Sequence, residues 1–120
     1  METLCKIRDI QRAVHRFELD FEKLHGICLN EGMTLCSLSG AEKLSSGELG
    51  ELLGLSPSNT SKVIRSVENK GLVKRIMGAE DKRQMYFSLT PEGGKLLSQI
   101  KCADMYIPGL IKTILDDNKG

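Results

Sequence analysis

The sequence predicts a mainly α-helical fold with one small β-hairpin, on three observations. An apolar stripe with a period of about 3.5 residues runs from Ile7 to Leu24 and fits one face of a long amphipathic helix. Two short helical patterns flank a glycine turn between Ser45 and Asn69. A run that alternates apolar and polar residues, Met85 to Leu89, follows an apolar run and a charged tip. The 120 residues, 40% hydrophobic and 4% aromatic, suit a single compact domain. Their 28% charged residues, 17 basic against 16 acidic, exclude a disordered acidic or basic tail. No apolar stretch approaches the roughly 20 residues of a membrane span. Charges from Glu2 onward break up any secretory leader. A soluble, cytoplasmic chain with no membrane partner is therefore expected. The cysteines Cys5, Cys28, Cys36 and Cys102 are widely spread with no Cys-x-x-Cys pair, so they read as reduced thiols and not as a disulfide framework.

The first helix is expected over about Leu4 to Leu24. Ile7, Ile10, Val14, Phe17, Phe21 and Leu24 recur at steps of three and four, while Arg8, Arg12, Glu18 and Glu22 fill the other faces. Such a stripe either packs on the core of its own chain or forms a dimerisation helix, and periodicity alone leaves both readings open. A second helix is expected from Ile27 to Ser39, with Leu29, Met33, Cys36 and Leu35 inward. Gly26, Gly32 and Gly40 blur its ends, because glycine costs about 1 kcal/mol against alanine inside a helix.

Ser45 or Ser46 then caps a short helix with Glu48 in its first turn and Leu49, Leu52 and Leu53 on its apolar face, and Gly54 ends it. Leu55 buries, Ser56 is a favourable N-cap, and Pro57 fits the first turn, where a missing N–H is harmless. The next helix places Thr60, Val63, Ile64 and Val67 on one face and stops at Gly71. Two short helices joined by a tight glycine turn make a helix-turn-helix, and Gly50 removes bulk where they would cross. Outward lie Ser58, Asn59, Ser61, Lys62, Arg65, Ser66 and Asn69. Amide and guanidinium groups pair with base edges, hydroxyls and backbone N–H groups with phosphate. Leu72 to Met77 and Gln84 to Leu89 form the hairpin, with Gly78 to Arg83 at its tip. Thr90, Pro91 and Glu92 cap, start and charge a further helix carrying Leu96, Leu97, Ile100, Ala103 and Ile107, which Pro108 and Gly109 interrupt. The final segment, Leu110 to Leu115, is too short to be stable alone, and its apolar side requires cover.

Charge is polarised along this layout. Residues 56–83 hold seven basic and three acidic side chains, while the rest of the chain holds ten and thirteen. A basic segment inside an acidic domain is the electrostatic footprint of a polyanion-binding surface.

The order helix-turn-helix, Lys70-Gly71-Leu72-Val73-Lys74-Arg75, a loop with Asp81-Lys82-Arg83, and Leu89-Thr90-Pro91-Glu92-Gly93 resembles the winged helix-turn-helix of the MarR family of bacterial transcription regulators. The resemblance is strong from Leu44 to Leu97. It implies one domain over residues 1–120, with dimerisation helices at 1–25 and 95–120 and a winged DNA-binding portion at 27–90. It also implies a homodimer on a pseudo-palindromic double-stranded operator, most simply a repressor released by a small-molecule effector, with no cofactor. On this reading the DNA contacts come from Ser56, Ser58, Asn59, Thr60, Ser61, Lys62 and Arg65, from Lys74, and from Asp81, Lys82 and Arg83. Arg83 would enter the minor groove, whose narrow stretches concentrate negative potential, and Asp81 would hold the wing. Dimerisation would use Ile7, Ile10, Val14, Phe17, Ile107, Ile111 and Ile114, which resolves the first-helix stripe in favour of pairing. Gly50 departs from the family's usual alanine, and the short C-terminal portion implies a small dimer interface.

An enzyme lacks support, since His15 and His25 are the only histidines and no phosphate loop or nucleophile motif is present. A winged helix that binds protein leaves outward Asn59, Lys62 and Arg65 without a purpose. A metal- or thiol-responsive regulator would draw on His25, Cys28 and Cys36, which match no zinc pattern, or on Cys5 or Cys102 beside basic neighbours.

Overall fold

The computed structural model describes residues 2–81, 83–102 and 107–117, the side chains of Cys102 and Asp117 excepted. The elements run α1 (Glu2–His25), α2 (Leu29–Ser39), β1 (Leu44–Ser45), α3 (Ser46–Leu53), α4 (Pro57–Asn69), β2 (Val73–Met77), β3 (Met85–Leu89), α5 (Pro91–Cys102) and α6 (Gly109–Asp117). The chain divides into two compact units, Met1–Leu29 with Asp104–Gly120, and Asn30–Ala103.

In the first unit α1 is one continuous helix that ends at Gly26, whose φ of 75° is the left-handed setting that glycine adopts without strain. Phe21 is its buried residue, with ring centroids 6.2 Å from Phe17 and 4.7 Å from His25. Ile10, Val14 and Phe17 are half-buried, whereas Ile7 and Leu24, at the ends of the stripe, are exposed. Helix α6 packs on α1. It leaves Leu110, Ile114 and Leu115 exposed, with Ile111 half-buried.

In the second unit α2 turns inward along Glu31, Thr34, Leu35 and Leu38, the i, i+3, i+4, i+7 pattern of one helical face. This corrects the expectation for Met33 and Cys36, which are exposed because they stand off that line. The carboxylate of Glu31 concealed the true period. Helix α3 begins in a complete capping box. Glu48 N–H donates to Ser45 Oγ at 3.2 Å, and Ser45 N–H donates to Glu48 Oε1 at 2.9 Å. The backbone N–H of Ser45, and after it the Ser45 side chain, hydrogen-bond the Glu48 carboxyl and hold it below the ordinary range. Gly54 closes the helix at φ 68°. Leu49 and Gly50 are its buried positions, and Leu55 is half-buried. Leu52, expected inward, is 63% exposed because it lies off the Leu49–Leu53 edge.

Helix α4 buries Thr60, Ile64 and Val67 against this frame. A Cβ on Gly50 would lie 2.9 Å from Thr60 Oγ1 and 3.4 Å from Leu55 O, so the crossing of α3 and α4 requires glycine there. The sheet has the order β1-β3-β2, all antiparallel. The hairpin is as expected, with Arg75 opposite Phe87 and Met77 opposite Met85. Strand β1, which pairs Leu44 with Phe87 and Ser45 with Tyr86, is an addition. It makes β3 the central strand, so that Phe87 is buried and the other β3 residues are all half-buried instead of alternating. Thr90 accepts from Gly93 N–H at 3.0 Å and donates to Gly71 O at 2.7 Å, which ties α5 to the turn before β2. A Cβ on Gly93 would collide with Leu72 O. With Leu97 also buried, α5 belongs to the second unit.

Candidate nucleic-acid interface

The interface is built on the first turns of α4. Ser56, the N-cap at φ −65° and ψ 158°, accepts from Asn59 N–H at 3.2 Å. Its carbonyl accepts from Thr60 N–H at 2.9 Å and from Thr60 Oγ1 at 2.8 Å. The cap and Pro57 fix the start of the helix, so the Asn59 side chain is carried outward while its backbone amide is already satisfied. Ser58, Asn59, Ser61, Lys62, Arg65 and Asn69 are all exposed.

Two residues expected on this face are elsewhere. Thr60 is 1% exposed, its hydroxyl donated to Ser56 O and lodged at the Gly50 crossing, so it cannot reach a base. Ser66 donates to Glu31 Oε2 at 2.7 Å. The basic footprint also narrows. Lys70 Nζ lies 2.9 and 2.8 Å from the Glu31 oxygens. Arg75 Nε lies 2.7 Å from Glu68 Oε2, and this hydrogen bond, with the charge of Glu68, pushes the guanidinium pKa up. Lys62, Arg65 and Lys74 are exposed and form no ion pair among the described residues. Glu68, the only acid on α4, is neutralised by Arg75.

At the wing, Gly78 N–H donates to Gln84 O at 2.8 Å and Gln84 N–H to Asp81 O at 3.0 Å. Asp81 Oδ1 accepts from Arg83 N–H at 3.0 Å and from Arg83 Nε at 3.4 Å. The Arg83 side chain is nonetheless 93% exposed, so the loop is held from inside while the guanidinium stays accessible. Lys82 lies outside the described residues. A Cβ on Gly78 would come within 2.6 Å of Asp81 O, so the turn is built around that glycine.

The dimerisation set lies in the first unit. Ile10, Val14, Phe17, Ile107 and Ile111 are half-buried, and Ile7 and Ile114 are exposed, so none is fully buried by its own chain. Cys5 and Cys36 are exposed and Cys28 is half-buried. Among the described residues, no group of three or more His, Cys, Asp or Glu side chains could hold a metal ion. No described helix is long and apolar enough to cross a membrane. Sequence reasoning missed Glu31. The signal that could have found it is its place on the line of Thr34, Leu35 and Leu38, where an acid would have to be buried.

A capped helix pair crossing at a glycine, followed by a hairpin with a charged tip and a third short strand, defines a winged helix-turn-helix protein. Comparison with known proteins agrees. Residues 27–85 match the MarR family model, and the chain belongs to the MarR family. It is 26% identical over 113 residues to the HTH-type transcriptional regulator TtmR of Methylorubrum extorquens, covering 92% of this chain and 58% of that relative's length. The transcriptional regulator BldR of Sulfolobus solfataricus superposes with a TM-score of 0.74 at 21% identity, over 97% of this chain and 78% of that one. A cysteine-to-serine variant of MarR from E. coli, complexed with operator DNA, superposes with a TM-score of 0.72 at 22% identity, over 82% of this chain and 72% of that one.

Proposed function

We propose that the chain is a transcription regulator that binds a pseudo-palindromic duplex as a homodimer, with α4 in the major groove and the Arg83 wing in the flanking minor groove. The observation that carries this reading is the exposed face of α4, where Ser58, Asn59, Ser61, Lys62 and Arg65 stand together and the single acid of the helix is neutralised. Neutral amides and hydroxyls discriminate base edges and position the backbone, while unpaired cations meet phosphate. Two copies related by a twofold axis present two such helices, which is the physical origin of a palindromic site. Pairing through α1 and α6 is supported by the apolar residues those helices expose, including Ile7 and Ile114. Burial of a side chain of that size contributes about 1.5–3 kcal/mol. A dimer seated on a promoter excludes polymerase, so repression relieved by a small molecule is the regulatory form proposed.

Titration of duplex DNA across a range of salt concentrations tests the activity. Phosphate neutralisation gives log affinity a slope against log salt of about −0.9 per contact. A steep negative slope is expected. Absence of duplex binding at low salt would instead favour a winged helix that docks on protein.

A further inference from the structure

Glu31 is the most deeply buried acid among the described residues, and the DNA-facing chemistry makes no use of it. It stands in the first turn of α2 and is 4% exposed. An acid in a first turn ordinarily faces solvent and interacts with the helix dipole. Here both carboxylate oxygens face α4 instead. Oε2 accepts from Ser66 Oγ at 2.7 Å, and Oε1 and Oε2 accept from Lys70 Nζ at 2.9 and 2.8 Å. Ser66 and Lys70 are one helical turn apart. They lie on the border between the buried side of α4, Ile64 and Val67, and the exposed side, Lys62 and Asn69.

That location decides what the clamp does. Apolar burial of Ile64 and Val67 is non-directional, and a helix held only in that way can roll by some degrees at little cost. Charge-assisted hydrogen bonds at one edge are directional and resist such a roll. Glu31 is buried while Lys70 is partly exposed, and such a pair is a weak source of net stability, because desolvation of the carboxylate offsets its attraction. Geometry is therefore the stronger reason for its presence. We propose that Glu31 is a positioning residue for DNA readout, its carboxylate clamped to Ser66 and Lys70 so that α4 is fixed in rotation and the Asn59 and Lys62 side chains meet the groove in register. The inference rests on the DNA-binding function proposed above.

The test uses the full chain, a duplex enriched by that chain from random DNA, and a scrambled duplex of equal length and composition. Replacing both charges together, Glu31→Met with Lys70→Met, strands neither member of this pair as a lone charge, so thermal unfolding is expected near that of the parent. Affinity for the enriched duplex is expected to fall tenfold or more, while affinity for the scrambled duplex changes less than threefold. Lys70→Arg, which keeps charge and donors, is expected to retain the parent's ratio within threefold. A merely structural role would move the melting temperature and leave that ratio alone. A folded double variant that discriminates as well as the parent overturns the inference. If the double variant does not fold, Ser66→Ala decides, with a threefold loss of the ratio expected and an unchanged ratio contradicting the proposal. A parent chain that enriches no sequence removes the DNA-binding function and this inference together, whereas discrimination by the parent and by the double variant alike removes only the inference.

Discussion

Arg83 illustrates how a single side chain can be both restrained and available. Its backbone N–H and Nε bond to Asp81, yet the guanidinium is almost fully in solvent. Arg83→Ala is therefore expected to leave fold and assembly intact, weaken binding to an enriched duplex, and reduce any preference for A·T pairs beside the half-sites. Asp81→Ala should act in the same direction more mildly, since it releases the loop but keeps the cation. Equal binding by the parent and Arg83→Ala across a salt titration would remove the wing from the interface. On α4 the division of labour follows from chemistry. Asn59 offers a donor and an acceptor side by side, so Asn59→Ala is expected to relax preference at one position per half-site, worth about 1–3 kcal/mol of discrimination. Lys62 offers a point charge, so Lys62→Ala should weaken all sequences more evenly and flatten the salt slope by about 0.9 for each phosphate lost. Enrichment experiments on both variants separate these outcomes.

At the scale of elements, legibility depended on whether the signal was local. Ser45, Gly54, Ser56-Pro57, Gly71 and Thr90-Pro91 set the helix ends through bonds to residues within four positions, and each lies where the sequence placed it. Strand β1 has only two residues and owes its conformation to β3, some forty positions away, so nothing in its own neighbourhood announced it. Ser66 reads outward on its polarity, and Thr60 joins the expected DNA contacts only through the family resemblance. Each instead satisfies a partner brought in by folding or by the helix itself, Ser56 O for one and Glu31 for the other. Thr60 and Gly50 also form a coupled pair. Gly50→Ala gains about 1 kcal/mol of helix propensity, but places a methyl 2.9 Å from a hydroxyl that Ser56 O holds in place. Overpacking of this kind costs about 1–3 kcal/mol. Net destabilisation is expected in denaturant unfolding, and Gly50→Ala combined with Thr60→Ala should recover part of it. Strict additivity of the two substitutions would show that they do not meet.

For the whole molecule, the seven basic residues between 56 and 83 overstate the free positive charge, because Lys70 and Arg75 are paired with Glu31 and Glu68. What remains is a smaller set, Lys62, Arg65, Lys74 and the wing, which two copies would double. Assembly of the kind proposed would therefore be central to affinity, and it would rest on side chains that one chain leaves uncovered. Ile114 is 45% exposed, so Ile114→Asp is expected to leave the fold of a single copy intact. Placing its charge in a dimer interface should raise the dissociation constant tenfold or more, read by light scattering across a dilution series. Phe17→Asp should act likewise, with an added loss of stability because Phe17 is half-buried and touches Phe21. A parent chain that is a folded monomer at micromolar concentration would contradict the assembly proposed.

Selection of bound duplexes from random DNA by the full chain tests the central claim most directly, because it reads activity, sequence preference and symmetry together. The account predicts enrichment of a sequence with two twofold-related half-sites about one helical turn apart, the spacing that twofold-related reading helices impose. Recovery of unenriched DNA, or of a preferred sequence without twofold symmetry, would contradict it.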